Sequence, residues 1–471
     1  MLFKDRTTRN ALWVLVARAT SLLLGLVGAR IMGATLSVDE MGTYTLAMTA
    51  GILIASLSEF GIRNVFVRDV AQDLDKGPAL LAAFSAIKIL LAAILTPIAL
   101  TYVALRSGSS GTWAGLTIAA GLFANSVGVA WLSLARAHER FEWDAMGQIV
   151  YSLLLVPSLV FWLHVWPRAA GAGVAQFVAA TAQVVFTAIV LRRVFSLRIG
   201  TLSATQLWSS AIALIRRSLP FGLWSILALL YFRIDTIILQ EMRGLHEVGV
   251  YGAAYRLFEI GTSIPVAIAG ALLPRYARSV GTSSSNIAHT YVLTYRRQAW
   301  MALALGLAMI GLADPIVRII WTERFAGSAA PLVGLGVALT CSTMYSVNGA
   351  SLTAMNDGRF VAWMALGALI LNVILNLFAI PRWGAVGAAW TTAATEAWLL
   401  FASTLRMRRL LPRHRLRVVG PTIAVALVVI AAGTSGSYIA GPVLAALCLL
   451  GAAVAALRMS RGLFETERAL P

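Results

Sequence analysis

The sequence predicts an all-α integral membrane protein of about 14 transmembrane helices, and three observations support this fold class. Of its 471 residues 59% are hydrophobic and only 12% are charged, whereas soluble proteins carry about 25% charged residues. The mean hydropathy is +0.80. Apolar stretches of the roughly 20 residues that one helical crossing needs recur along nearly the whole chain. Most of the chain is therefore expected to lie in lipid.

Fourteen apolar stretches follow one another with short polar loops between them. In order they are 11–33, 41–61, 78–104, 112–135, 146–166, 170–191, 217–240, 248–272, 299–320, 329–353, 360–380, 384–405, 419–437 and 441–458. We group them into an N-terminal lobe (1–195), a cytoplasmic linker (196–216), a C-terminal lobe (217–405) and a final region (406–471) that holds a basic loop, the last two helices and a cytoplasmic tail.

Basic residues fix the predicted orientation. With the N-terminus inside, 27 of the 38 Lys and Arg residues fall in cytoplasmic segments, 5 in the opposite loops and 6 within helices. Cytoplasmic loops of membrane proteins carry such an excess. We therefore expect a multi-pass protein of the cell inner membrane with both termini cytoplasmic. The net charge of +18 then reflects topology, and nucleic acid is not an expected partner.

The two lobes share short patterns in the same order. Glu40-x-Gly42-x-Tyr44 opens the second predicted helix, and Glu247-x-Gly249-x-Tyr251 opens the eighth. The segment that starts at Ala135, after the fourth helix, is similar to the segment that starts at Ala354, after the tenth. The segment that starts at Pro167, before the sixth helix, is similar to the one that starts at Pro381, before the twelfth. Because each lobe has six helices, an even number, the halves are predicted to be parallel repeats, with substrate bound in a central cavity between them.

Several motifs resemble those of the Wzx-type polysaccharide flippases of the MOP superfamily. They are Asp39-Glu40-x-Gly42-x-Tyr44, Glu59-Phe60-Gly61, Val67-Arg68-Asp69, Phe232-Arg233-Ile234-Asp235 and Glu247-x-Gly249-x-Tyr251-x-x-Ala254-Tyr255. The resemblance covers roughly residues 10 to 405. It implies alternating access and translocation of an undecaprenyl-pyrophosphate-linked oligosaccharide to the outer leaflet, and it implies kinship with MurJ-type lipid II flippases and MATE exporters. The last two helices look like an addition of the MurJ type.

Charged side chains within predicted helices are the candidate substrate-binding residues, because a charge at the bilayer centre is costly unless it faces a cavity or a partner. Arginine binds phosphate through bidentate, charge-assisted hydrogen bonds. We expect Arg18 and Arg256 to contact the pyrophosphate, with Arg233 and Lys88 in support and with Glu59 and Glu259 on the same polar faces. The alternative is that each cation only pairs internally, Arg256 with Glu259 and Arg233 with Asp235, or extends to the membrane interface.

A second group of polar residues suggests coupling to Na⁺ or H⁺. Asp235 is expected to meet Asn372, Asn376 and Thr392, whose oxygen atoms suit Na⁺ or proton exchange. Asn372, Asn376 and Thr392 also fall at places that match the cation site implied by the MurJ resemblance. Glu396, near the middle of the twelfth helix, is the best protonatable candidate. Asparagine and threonine also join membrane helices by hydrogen bonds, and that structural reading stays open.

No catalytic or cofactor motif accompanies these residues. The sequence has no nucleotide-binding Gly-Lys-Ser loop, no HExxH and no Cys/His metal spacing, so no cofactor and no enzymatic activity are expected. The outer loops are too short for a membrane glycosyltransferase. A lipid II flippase and a MATE-like exporter of small molecules remain the competing readings. The expected partners are the lipid-linked oligosaccharide, membrane lipids and other polysaccharide assembly proteins, and we expect a monomer.

Overall fold

The computed structural model describes residues 6–195, 203–280, 284–355 and 357–411. These residues form α-helices with the bounds α1 Arg6–Thr35, α2 Val38–Glu59, α3 Ile62–Gln72, α4 Gly77–Ala137, α5 Phe141–Val165, α6 Ala169–Arg193, α7 Ala204–Arg243, α8 Leu245–Val280, α9 Ser284–Gly311, α10 Ala313–Trp321, α11 Ala329–Ala354 and α12 Gly358–Leu410. The all-α prediction is confirmed. The predicted helices 419–437 and 441–458 lie outside the described residues.

Two of the longest helices are divided by a break. As one straight helix at 1.5 Å per residue, the 61 residues of α4 would extend about 90 Å, three times the roughly 30 Å hydrocarbon core. A break at Gly108 (φ 64°) divides α4, and a break at Gly384 (φ 53°) divides α12. The halves correspond to the predicted pairs 78–104 with 112–135 and 360–380 with 384–405. In the described part of the chain, seven helices are long and apolar enough to span a membrane, or eight if one bent pair counts as a span.

The structure differs from the predicted helix pattern at several places. Helix α8 ends at Val280, beyond the predicted residue 272, and α9 begins at Ser284, before the predicted residue 299. Helix α3 was not predicted, because it is too short to cross a membrane and buries only one face, through Ile62, Phe66 and Val70. Helix α7 begins at Ala204, inside the predicted linker. The predicted helix 299–320 is interrupted after Gly311 by a 70° bend, where Pro315 has no N–H to donate to the carbonyl of Gly311.

The chain divides into two compact units, residues 1–240 and 241–471. Within the first unit, α4 packs on α2 and α6, and α5 packs on α1 and α6. Within the second unit, α11 packs on α8 and α12. The pairings of α2 with α4 and of α4 with α6 thus recur as α8 with α11 and α11 with α12, as the predicted repeat requires.

Small residues bring these helices close together. A Cβ atom on Gly121 of α4 would lie 2.9 Å from the backbone nitrogen of Phe177 in α6. In the second unit, a Cβ atom on Gly334 of α11 would lie 3.2 Å from the Cβ of Ala389 in α12. Such contacts replace the hydrophobic effect as the attraction between helices in lipid.

A buried amide joins three helices of the second unit. Asn348 of α11 is fully buried. Its Oδ1 accepts a hydrogen bond from the hydroxyl of Tyr291 in α9 at 2.7 Å. Its Nδ2 lies 2.9 Å from Ser403 Oγ and 3.0 Å from Thr404 Oγ1, both in α12. Because every polar atom of the amide has a partner, this group stabilises the packing of the unit.

Candidate functional site

The glutamates of the two repeated motifs hold equivalent positions in the two units. Glu40, in the first turn of α2, accepts a hydrogen bond from the backbone N–H of Ala169, the first residue of α6, at 2.7 Å. Glu247, in the first turn of α8, accepts one from the N–H of Ala385 at 2.8 Å. Ala385 opens the second half of α12, directly after the break at Gly384. Each carboxylate therefore satisfies a free N–H at a helix N-terminus, where negative charge is also favoured.

The tyrosines of the same motifs, one helical turn after the glutamates, also make equivalent contacts in the two units. Tyr44 accepts a hydrogen bond from Gln176 of α6, and the hydroxyl of Tyr251 lies 3.4 Å from Thr392 Oγ1 of α12. Ala385 follows Ala169 by 216 positions, and Thr392 follows Gln176 by the same 216 positions. Two matched contacts at one common offset support an origin by duplication.

Removal of either glutamate should cost a similar amount of stability. Alanine at a position that caps a helix costs about 1–2 kcal/mol, so we expect Glu40→Ala and Glu247→Ala to lower the thermal unfolding midpoint in detergent by comparable amounts. Asp75→Ala, at an exposed turn, is the control and should change it little. A normal midpoint for either glutamate variant would show that its contact does not hold the helix.

The most buried of the predicted cations belongs to a three-residue charge cluster. The side chain of Lys88, on α4, is only 1% exposed, and its Nζ lies 3.7 Å from Glu59 Oε2 of α2. Glu59 Oε1 lies 3.0 Å from Nε of Arg63 on α3. Nζ of Lys88 has no hydrogen-bond partner among the described residues, and the ring of Phe84 lies 5.7 Å away. We call Glu59, Arg63 and Lys88 the elbow cluster. It contains two cations and one carboxylate.

A sharp change of chain direction between α2 and α3 brings two residues of the elbow cluster together. Helix α2 ends at Glu59, and the next two residues, Phe60 (φ 44°) and Gly61 (φ 68°), are left-handed before α3 begins. Gly222 of α7 packs against this turn, since a Cβ atom there would lie 2.7 Å from the ring of Phe60. Arg63 was not among the predicted site residues, because Glu59 and Arg63 lie on different helices, and their contact depends on the left-handed turn between them. Nothing in the sequence showed that Lys88 meets Glu59.

The other predicted cations are more exposed. Arg18 on α1 and Arg233 on α7 are partly exposed and belong to the first unit. Arg256 belongs to the second unit, with a side chain 41% exposed and Nη1 3.5 Å from Glu259 Oε2. The pair of Arg256 and Glu259 that their spacing suggested is therefore present. Of these four cations, Lys88 alone is buried.

Two of the predicted cation-coupling residues, Asn372 and Asn376, contact each other in the second unit, and Thr392 lies in the same unit. Asn372 and Asn376 of α12 are buried, and Asn376 Nδ2 donates to Asn372 Oδ1 at 2.9 Å. Asn376 Oδ1 has no hydrogen-bond partner among the described residues. Thr392 donates to the carbonyl of Ala388 and faces Tyr251. The side-chain oxygens of these residues are neutral, and hard cations take neutral oxygen atoms as ligands.

The two predicted carboxylates of this group are also buried. Glu396 is 2% exposed and lies close enough to Cys341 and Tyr345 of α11 to interact with them electrostatically. Asp235, in the first unit, is 2% exposed, and its Oδ1 accepts a hydrogen bond from the N–H of Thr236 at 2.7 Å. No group of three His, Cys, Asp or Glu side chains in the described residues could hold a metal ion.

Solved structures of transporters share this fold. The structure of the lipid II flippase MurJ in an inward closed conformation has a TM-score of 0.69, with 11% identity and coverage of 98% of this chain and 99% of that one. An inward-facing multidrug resistance MATE family transporter of the MOP superfamily has a TM-score of 0.67, with 16% identity and coverage of 86% and 98%. At these identities the likeness shows the fold alone.

Two curated relatives act in glycan biosynthesis. The probable low-salt glycan biosynthesis flippase Agl15 of Haloferax volcanii is 24% identical over 168 residues, 36% of each chain, so the match spans about a third of that relative. The succinoglycan biosynthesis transport protein ExoT of Rhizobium meliloti is 21% identical over 370 residues, 76% of this chain and 71% of that one.

The family assignment rests on a match that covers more than half of the chain. Residues 7–280 match the family model described as polysaccharide biosynthesis protein. The matched region contains the elbow cluster, both motif glutamates and Arg256. With the multi-pass helical fold of MurJ and the MATE transporters, this match shows that the chain is a membrane protein belonging to the polysaccharide biosynthesis protein family.

Proposed function

We propose that the chain is a flippase that moves an undecaprenyl-pyrophosphate-linked oligosaccharide from the cytoplasmic to the outer leaflet of the inner membrane by alternating access. The observation that carries the proposal is the burial of Lys88 in the elbow cluster. Family membership and the glycan-transport relatives support the same class of cargo. No covalent chemistry is required of the protein, so its task is to bind, shield and release.

The charge balance of the elbow cluster suits an anionic cargo. A buried cation is costly unless an anion compensates it, and the single carboxylate of Glu59 stands against both Lys88 and Arg63. Nζ of Lys88 is shielded in this conformation. In a state of the transport cycle in which the cluster opens, a pyrophosphate would supply the missing negative charge and accept a hydrogen bond from Nζ. Within the first unit, Arg18 and Arg233 would provide further donors. Arg256, paired with Glu259 in the second unit, is proposed from the sequence as a further cargo-binding residue.

Coupling to Na⁺ is the accompanying proposal for the second unit. Asn372, Asn376 and Thr392 supply neutral oxygen acceptors, and Asn376 Oδ1, which has no hydrogen-bond partner among the described residues, favours a ligand there. Glu396 of the same unit would serve if the coupling ion is H⁺. Asp235, in the first unit, stays a candidate carboxylate proposed from the sequence.

The coupling proposal predicts that Asn376→Leu abolishes a Na⁺ dependence of transport. Leucine keeps the volume of the side chain but offers no oxygen to the ion. The measurement is cargo translocation in vesicles with Na⁺ or with choline outside, at fixed pH. Equal rates in the two media for the unmodified protein would exclude Na⁺ coupling.

The cargo proposal is tested by leaflet analysis in a host deleted for this gene. We expect undecaprenyl-linked oligosaccharide to accumulate on the cytoplasmic leaflet and the unmodified gene to clear it. Accumulation of lipid II instead would assign the chain to the MurJ type of activity. A host with neither lipid displaced would contradict the flippase proposal and favour a small-molecule exporter.

A further inference from the structure

The first four turns of α7, residues 204–219, carry two apolar stripes on different faces. The inner stripe consists of Leu207, which is half-buried, and of Ala211, Leu214 and Ser218, which are buried. The outer stripe has the same helical spacing and consists of Trp208, Ile212, Ile215 and Leu219. Trp208 is 63% exposed, Ile215 37% and Leu219 50%. At 100° per residue the two stripes lie about 100° apart on the helix.

The inner stripe fixes where this segment lies along the first unit. Leu207, Ala211 and Leu214 share a hydrophobic cluster with Ala137 at the end of α4 and Leu191 in the last turn of α6. Both helix ends lead into the arginine-rich segments that mark the predicted cytoplasmic surface. The outer stripe therefore lies at the level of the cytoplasmic headgroups.

Two arginines next to each other in the sequence have different surroundings. Arg217 Nη1 lies 2.9 Å from Asp69 Oδ2 of α3, a contact that sets the rotation of α7. Arg216 is exposed and follows Ile212 by four residues, which places it at the border of the outer stripe. An apolar stripe with a tryptophan and a bordering cation is typical of a helix that lies in the membrane interface.

We propose that residues 204–219 are an interfacial anchor: the outer stripe is immersed in the headgroup layer of the cytoplasmic leaflet, and Arg216 binds a lipid phosphate. The positive charge of Arg216 complements the phosphate, and the stripe continues into the part of α7 predicted to span the bilayer. The anchor does not depend on which cargo the protein moves.

The test measures which medium surrounds each face of the anchor. The full chain, with Cys341→Ala and Cys448→Ala, is placed in vesicles of phosphatidylcholine and phosphatidylglycerol and spin-labelled at Ile215→Cys or at Ala213→Cys. Ala213 is also exposed but lies on the polar face, so it is the matched control. We expect the label at 215 to collide more often with oxygen, which dissolves in lipid, and the label at 213 with a water-soluble nickel chelate.

Three results would overturn the anchor. Equal access of nickel to both positions would place the outer stripe in water. A label at 215 shielded from both reagents would mean that protein covers the stripe. An unchanged oxygen-to-nickel ratio at 215 after Arg216→Glu would remove the role of Arg216, since a carboxylate there should be repelled by lipid phosphate. Quenching of Trp208 by brominated lipid, taken as the difference between the unmodified protein and Trp208→Phe, provides the same test without cysteine replacement.

Discussion

Replacement of Lys88 by methionine should strongly reduce cargo translocation while the protein still inserts. Methionine keeps the length of the side chain but removes the cation that is proposed to meet the pyrophosphate. A hydrogen bond to a charged group contributes about 1.5–3 kcal/mol, so the loss should be roughly tenfold to a hundredfold. The measurement is clearance of lipid-linked oligosaccharide from the cytoplasmic leaflet, normalised to the amount of protein in the membrane.

The matched control for Lys88 is Lys76→Met. Lys76 also pairs with a carboxylate of its own unit, Asp73 at 2.9 Å, but its side chain is 66% exposed. Exposed pairs contribute about 0–1 kcal/mol, and this lysine is at the surface rather than in the elbow cluster. Translocation should therefore remain normal in Lys76→Met.

A double replacement separates cargo binding from a merely structural ion pair. Removal of one partner from a buried ion pair lowers the stability by about 3–5 kcal/mol. Because Glu59 is 21% exposed, we expect a loss at the lower end of that range for this pair. If the pair is only structural, Glu59→Gln/Lys88→Met should recover both stability and translocation. If Lys88 binds the cargo, the double variant should recover stability and stay inactive. Recovery of translocation would contradict the assigned role of Lys88.

Gly384→Ala should be the most destabilising single change among the glycines at helix breaks. Its φ of 53° with ψ of −130° is a conformation that residues with a Cβ rarely adopt, at a cost of about 1–3 kcal/mol. The new Cβ would also lie 2.5 Å from Glu247 Oε2, which would displace the carboxylate that caps Ala385. We expect a total loss of about 2–4 kcal/mol, measured as a lower thermal unfolding midpoint in detergent.

Two other glycines separate the causes of that loss. Gly108 has the same kind of backbone, with φ 64°, but a Cβ there would meet nothing within 4 Å, so Gly108→Ala should show the strain alone. Gly358 also has open space around it and lies in the first turn of α12, so Gly358→Ala should be neutral. Equal losses at 108 and 384 would show that the Glu247 contact contributes nothing.

The fold was largely predictable because lipid imposes a strong pattern on sequence. The first twelve stretches were predicted from apolar length. The break at Gly108 falls between two of them, and the break at Gly384 falls at the first residue of the twelfth. Helix α3 and the start of α7 were not found, since short amphipathic helices at a membrane surface lack such a run. The bend at Leu312 was not found because Asp314, Pro315 and Arg318 are too few to interrupt an apolar stretch of membrane-spanning length.

The candidate site was less predictable, because its contacts join residues far apart in the chain. Local pairs such as Arg256 with Glu259 follow from helical spacing. The contact of Lys88 with Glu59 depends on the left-handed turn at Phe60 and Gly61, and the contact of Glu40 with Ala169 depends on the packing of α2 and α6. The repeated motif identified Glu40 and Glu247 as equivalent, but only the structure showed that each caps a helix.

The central claim is tested most directly by translocation in vesicles that contain only this protein. Undecaprenyl-pyrophosphate-linked oligosaccharide is placed in one leaflet, and its arrival in the other is followed with a membrane-impermeant sugar-modifying enzyme, beside a parallel assay of a cationic dye. We predict that the protein accelerates movement of the oligosaccharide lipid, that Lys88→Met does not, and that dye movement stays at the rate of empty vesicles. Transport of the dye with no movement of the lipid would contradict the account and identify an exporter.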